Sequence, residues 1–136
     1  MVDMADTVLD RLREIALDLP GVGERLSHGA PCFFVQDKRP LCYYHDTDFS
    51  GGDRDEMWCP AAPGVPEDLV AAEPDRFFRP PPSASGVFST WLGVYIDITA
   101  GADPDQWREI ADLLEEAFRI VAPKALITEL DRRRHC

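Results

Sequence analysis

Hydrophobic periodicity switches twice along this chain, and the switch constrains the fold more than any single motif does. At the N-terminal side Val8, Leu12, Ile15, Ala16 and Leu19 recur at helical spacing. They predict an amphipathic helix from about Thr7 to Leu19, with Asp6 as N-cap and Pro20-Gly21 as its stop. The pattern then shortens to strands. Cys32 to Val35 and Pro40 to His45 are two, joined as a hairpin by the polar turn Gln36-Asp37-Lys38-Arg39, and Glu56 to Cys59 is a third, ended by Pro60. Pro66 to Ala72 has Pro at the first helical position and acids in its first turn, the composition of a short helix. Phe77-Phe78-Arg79-Pro80-Pro81-Pro82 must be extended, because each proline fixes φ and disfavours helix before it. Trp91 to Ile98 is the clearest strand: Leu92, Val94, Ile96 and Ile98 share one face, while Trp91, Gly93, Tyr95 and Asp97 share the other. Helical period then returns. Asp103, Pro104 and Gln106 read as N-cap, first helical residue and capping-box partner, followed by the stripe Trp107, Ile110, Leu114, Ala117, Phe118 and Val121. Pro123 breaks it, and a short helix from Lys124 to about Asp131 follows. Helix, several strands and helix, with short links between strands, predict an α+β fold: an antiparallel sheet packed against N-terminal and C-terminal helices in a two-layer sandwich.

Composition narrows the class. The 136 residues suit one domain, 1–136, with no internal repeat or linker. A chain this long buries roughly two thirds of its unfolded surface, so it needs no covalent staple. No apolar run approaches the ~20 residues of a membrane span. Met1 to Asp6 has neither a basic nor an apolar region of the signal-peptide kind, so a cytoplasmic location is expected. The four cysteines, Cys32, Cys42, Cys59 and Cys136, form no C-x-x-C pair and are expected to be free thiols. The net charge of −11 places a general DNA binder at a disadvantage, since phosphates are met with Lys and Arg.

Four segments carry a family likeness. Gly21 to Val35, with its Ser27-His28-Gly29-Ala30-Pro31 centre, resembles the LPGV…E…SHG-P-FfV segment of the bacterial MmcQ/YjbR family. Ala71 to Pro81 is similar to its aaDPeRFF-PP segment, Trp91 to Asp97 to its W-v-G-v-x-L-D strand, and Glu116 to Lys124 to its eAyrlvaPK ending. They occur in the family's order over about residues 8–127. The resemblance implies a frataxin-like (CyaY-like) sandwich and the family's nominal role in DNA binding, a label that rests largely on shape; fold does not fix function. It also implies a second possibility, a small-molecule (antibiotic or metabolite) binding or self-resistance protein, because relatives lie near antibiotic gene clusters. The chain departs from the pattern where Asp37 replaces a glycine, where Thr90 replaces the glycine before Trp91, and where Tyr95 replaces a frequent basic residue. The last change removes positive charge from the nucleic-acid reading.

Candidate functional residues follow from chemistry. His28 could act near neutral pH or simply anchor the loop before the first strand. Asp46-x-Asp48-x-Ser50-Gly51 opens like a calcium loop, but Met57 stands at its twelfth position and strands flank it, so no metal is expected there. Cys42 and His45 are three apart, which on a strand means opposite faces and argues against a shared zinc. Lys38, Arg39, Arg76 and Arg79 are the nucleic-acid candidates, with Lys124 a further cation; Tyr43, Tyr44, Trp58 and Trp91 are possible stacking surfaces that equally suit a core. Arg132 to Arg134 fits the end of a helix better than a phosphate grip. No nucleophile with its base, Walker loop or dinucleotide fingerprint is present. The expectation is therefore a binding domain without catalytic residues, cofactor or metal, and no membrane partner. It takes either nucleic acid on a face holding Lys38, Arg39, Arg76 and Arg79, or a small molecule in a pocket lined by His28, Trp58 and Trp91.

Overall fold

The chain builds helix, sheet and helix in the expected order. The computed structural model describes residues 8–27, 29–46, 54–81, 86, 89–96 and 104–134. The elements are α1 (Val8–Leu17), β1 (Val22–Ser27), β2 (Ala30–Val35), β3 (Arg39–His45), β4 (Asp55–Pro60), α2 (Val65–Ala72), β5 (Phe77–Phe78), β6 (Trp91–Ile96), α3 (Pro104–Val121) and α4 (Lys124–Arg134). Six strands form one sheet in the order β1-β2-β3-β4-β6-β5, with every neighbouring pair antiparallel.

Strand β1 corrects the sequence reading, which placed a loop ahead of Cys32. Val22 to Ser27 pairs along its whole length with β2, from Val22 opposite Val35 to Ser27 opposite Ala30. It is an edge strand whose residues are all half-buried or exposed, so it has no apolar alternation to reveal it. The β2–β3 hairpin forms as expected. Gln36 and Asp37 both adopt the left-handed region, at φ 52° and 58°, and Lys38 N–H closes the turn on the Val35 carbonyl at 3.0 Å. Two central residues with positive φ define a type I′ turn, whose twist matches that of the strands. A register shift between Phe33 and Phe34 lets the consecutive residues Leu41 and Cys42 both be buried.

One face of the sheet carries the core. Phe33, Val35, Cys42, Tyr44, Met57, Cys59, Phe77, Leu92, Val94 and Ile96 meet Val8, Leu12 and Ala16 of α1 and Trp107, Ile110, Leu114, Ala117 and Phe118 of α3. Leu69 and Val70 of α2 and Leu126, Ile127 and Leu130 of α4 pack against the same cluster. Burying that much apolar surface is the main source of stability in a domain of this size. Gln106, expected to complete a capping box, donates its side-chain amide to the Tyr95 carbonyl at 3.2 Å and so ties α3 to the end of β6. Its expected partner Asp103 lies outside the described residues, as do Asp97 and Ile98. Cys32, Cys42 and Cys59 are buried free thiols. Among the described residues no helix is long and apolar enough to cross a membrane. The described helices thus gather on one face, and the opposite face holds the features of functional interest.

Candidate ligand-binding face of the sheet

On the face away from the core, strand register aligns a tier of aromatic side chains. Tyr43 on β3 stands opposite Trp58 on β4, and Trp58 stands opposite Gly93 on β6, which in turn pairs with Phe78 on β5. One step along, His45, Glu56 and Tyr95 form a second cross-strand row. Directly opposed residues bring their Cβ atoms to about 5 Å, which places the side chains of neighbouring strands within reach of one another. They form a continuous chain. Trp91 to Tyr43 is 5.9 Å between centroids, Tyr43 to His45 6.2 Å and stacked, His45 to Trp58 4.4 Å and edge-on, Trp58 to Phe78 6.4 Å and edge-on, and Phe78 to Tyr95 4.6 Å. These separations lie in the range where ring quadrupoles attract.

Gly93 makes the tier possible. A Cβ there would lie 2.4 Å from the Phe78 ring, so the ring rests directly on glycine backbone. Trp91 and His45 are buried, at 4% and 5% exposure, while Tyr43, Trp58, Phe78 and Tyr95 are half-buried and keep ring surface at the solvent boundary.

Few polar groups interrupt the rings. Trp58 Nε1–H donates to Glu56 Oε1 at 3.1 Å, and the hydroxyls of Ser27 and Tyr43 lie 3.2 Å apart. Burial is the largest influence on Tyr43 and raises its pKa; the hydrogen bond from Ser27 opposes it. Burial pushes the Cys32 thiol up to about 12, so this cysteine is no nucleophile. Burial lowers the His45 pKa against the opposing pull of Asp46, so the imidazole is neutral near pH 7. Two guanidiniums lie on rings of this same face. Arg54 is 3.9 Å from the Tyr95 centroid and Arg25 is 3.8 Å from that of Phe34, with Arg25 also paired to Asp37 at 2.6 Å.

The structure sorts the sequence candidates. Trp58 and Trp91 share this face, bridged by Tyr43 and His45; His28 lies outside the described residues. Tyr44 points the other way, into the core, where its hydroxyl donates to the buried Asp55 carboxylate. Burial and that carboxylate both raise the Tyr44 pKa. Cys42 and His45 occupy opposite faces, as their spacing requires. The Asp46 loop falls on residues 47–53, outside the described residues, and among the described residues no cluster of His, Cys, Asp and Glu is fit to hold a metal.

The basic candidates separate into two pairs. Lys38 and Arg39 are exposed at the β2–β3 turn and have no ion-pair partner among the described residues; with Ile120 to Pro123 they line a cleft of about 220 Å³. Arg76 and Arg79 flank β5, three strand positions from β3, a lateral distance of about 14 Å. Arg76 is paired with Glu73 and Glu109, and Arg79 with Glu67. Two of the terminal arginines are also engaged, Arg133 with Glu129 and Arg134 with Glu115. Sequence reasoning missed Glu56, Phe78 and Tyr95. Only the alternation in Glu56-x-Trp58 and in Trp91-x-Gly93-x-Tyr95 pointed toward them, and that alternation does not say which strands are neighbours.

No protein-family model matches the sequence, and no curated protein is significantly similar to it. Among solved structures, the crystal structure of Deinococcus radiodurans protein DR2400, described as a DUF419 domain, is similar to this chain with a TM-score of 0.65. The match covers 96% of this chain and 92% of that one, at 19% identity. A likeness at that identity establishes a shared α+β fold.

Proposed function

We propose that this chain is a non-catalytic binding domain of the MmcQ/YjbR type and that its ligand is a small planar molecule held on the sheet face opposite the described helices. The carrying observation is the continuous tier of six rings from Trp91 to Tyr95, four of which retain surface at the solvent boundary. Apolar rings with a few placed polar groups are the usual lining of small-molecule sites. The likeness to a DUF419 structure supports the family assignment, since that family is related to MmcQ/YjbR.

Duplex DNA is the second reading, favoured by the adjacent exposed cations Lys38 and Arg39. Two facts weigh against it. A phosphate approaching Arg76 or Arg79 must displace a carboxylate already in place, and Glu56 stands in the middle of the aromatic face.

Ligand-observed NMR with 4-methylquinoline, neutral at about pH 8, tests the first reading. Stacking on a ring contributes about 1–3 kcal/mol, so Trp58→Ala is expected to weaken binding at least about fivefold. Binding unchanged in Trp58→Ala would remove this face as the site. Fluorescence anisotropy of a labelled duplex at low and moderate salt tests the second reading: binding that weakens steeply with salt and is lost on Lys38→Ala/Arg39→Ala would favour it.

A further inference from the structure

We infer that the aromatic face selects organic cations, so that its natural ligand is a planar ring system carrying a positive charge; this rests on the small-molecule reading above. Three observations converge. The first is Glu56. It stands on β4 between His45 and Tyr95, on the same side of the sheet as the rings, and its Oε1 accepts the Trp58 indole N–H. A carboxylate has about four acceptor positions, and this bond uses one. The carboxylate therefore remains able to meet a cation at the edge of Trp58. The second is how the chain treats this face itself: it seats the guanidiniums of Arg54 and Arg25 within 4 Å of the ring centroids of Tyr95 and Phe34. Ring faces here accept positive charge, as their quadrupoles dictate. The third is the molecule's field. A net charge of −11 raises the local concentration of cations and lowers that of anions. His45 adds no competing charge, because burial keeps it neutral.

A carboxylate set between His45 and Tyr95 in the cross-strand row and hydrogen-bonded to Trp58 has the composition of sites that hold alkylated or aromatic ammonium groups. A neutral ring of the same size would gain the stacking alone. An anionic ring would meet Glu56 with like charge.

The test uses the full chain and two probes of equal shape. N-methylquinolinium carries a fixed charge, whereas 4-methylquinoline is neutral at about pH 8. Calorimetric titration should show the cation binding about fivefold tighter or better, the equivalent of about 1 kcal/mol. Glu56→Gln keeps an acceptor for the Trp58 indole and removes the charge. It should abolish the preference, so that the two probes bind with equal affinity, with thermal unfolding confirming the fold. Equal binding of the two probes, or a preference that survives in Glu56→Gln, overturns the inference and leaves the small-molecule reading standing. Failure of both probes to bind overturns both.

Discussion

His45 is an imidazole surrounded by rings, with 5% of its surface exposed. Its cost appears only in acid. Burial lowers its folded pKa below the ordinary value near 6.5, so above that pH neither state is protonated and stability does not depend on this group. As pH falls below about 6.5 the unfolded chain takes up the proton first, and stability declines until the folded pKa is reached. Urea unfolding between about pH 7.5 and 5 should show this decline, and His45→Phe should flatten it before the carboxylates titrate. A decline of equal slope in the variant would assign the effect elsewhere. Gly93 is the second residue on which the face depends. Gly93→Ala places a methyl group 2.4 Å from the Phe78 ring, and that ring is the end residue of a two-residue strand. The ring must move, at an expected cost of about 1–3 kcal/mol in urea unfolding. Phe78→Ala in the same background should recover part of the loss, because the clash is then gone; a purely additive double variant would show that the clash is not its cause.

At the scale of elements, the β2–β3 hairpin turns on two non-glycine residues in the left-handed region, Gln36 and Asp37. Left-handed backbone costs an L-residue roughly 1 kcal/mol, less for Asp and Asn, and Asn-Gly is the pair that type I′ turns favour. Gln36→Asn/Asp37→Gly is therefore expected to raise the urea midpoint by the equivalent of about 1 kcal/mol without changing the slope. The lost Arg25–Asp37 pair is half to four-fifths exposed and offsets little of that. Asp37 also shows what the sequence could reveal: it occupies the position where the family resemblance places a glycine, and its positive φ explains that preference. The helices were legible because their stripes are local; Leu12, Ala16, Ile110, Leu114 and Phe118 are all fully buried. Strand β1 was not, because an edge strand with Leu26 70% exposed lacks alternation. The aromatic tier was half-legible. Alternation placed Trp91 and Tyr95 on one face of their strand, but the meeting of Tyr43, Trp58, Phe78 and Tyr95 is set by non-local register among four strands. The short β5 and the step from β4 to β6 leave no local trace of that register.

At the scale of the whole molecule, the charge balance sets both stability and the choice of ligand. The chain carries 25 acidic and 14 basic side chains. Many of the basic ones are already committed: Arg13 to Asp10 and Glu24, Arg76 to Glu73 and Glu109, and Arg119 to Glu115 and Asp131. Each such surface pair contributes only about 0–1 kcal/mol, whereas the unmatched acids repel one another across the molecule and weaken the compact state. Screening acts on both terms, and the longer-range repulsion loses more once the Debye length falls to about 10 Å, near 0.1 M salt. The melting temperature is therefore expected to rise by a few degrees as sodium chloride increases from about 0.02 to 0.2 M. A fall over that range would mean that the arginine pairs outweigh the repulsion, and that the molecule's far field is too weak to sort ligands by charge. A rise would show the field to be strong enough to repel phosphate and attract cations before any contact with Trp58 is made. The same salt series, applied to N-methylquinolinium binding, should then weaken the association, because the attraction that concentrates the cation is the one being screened.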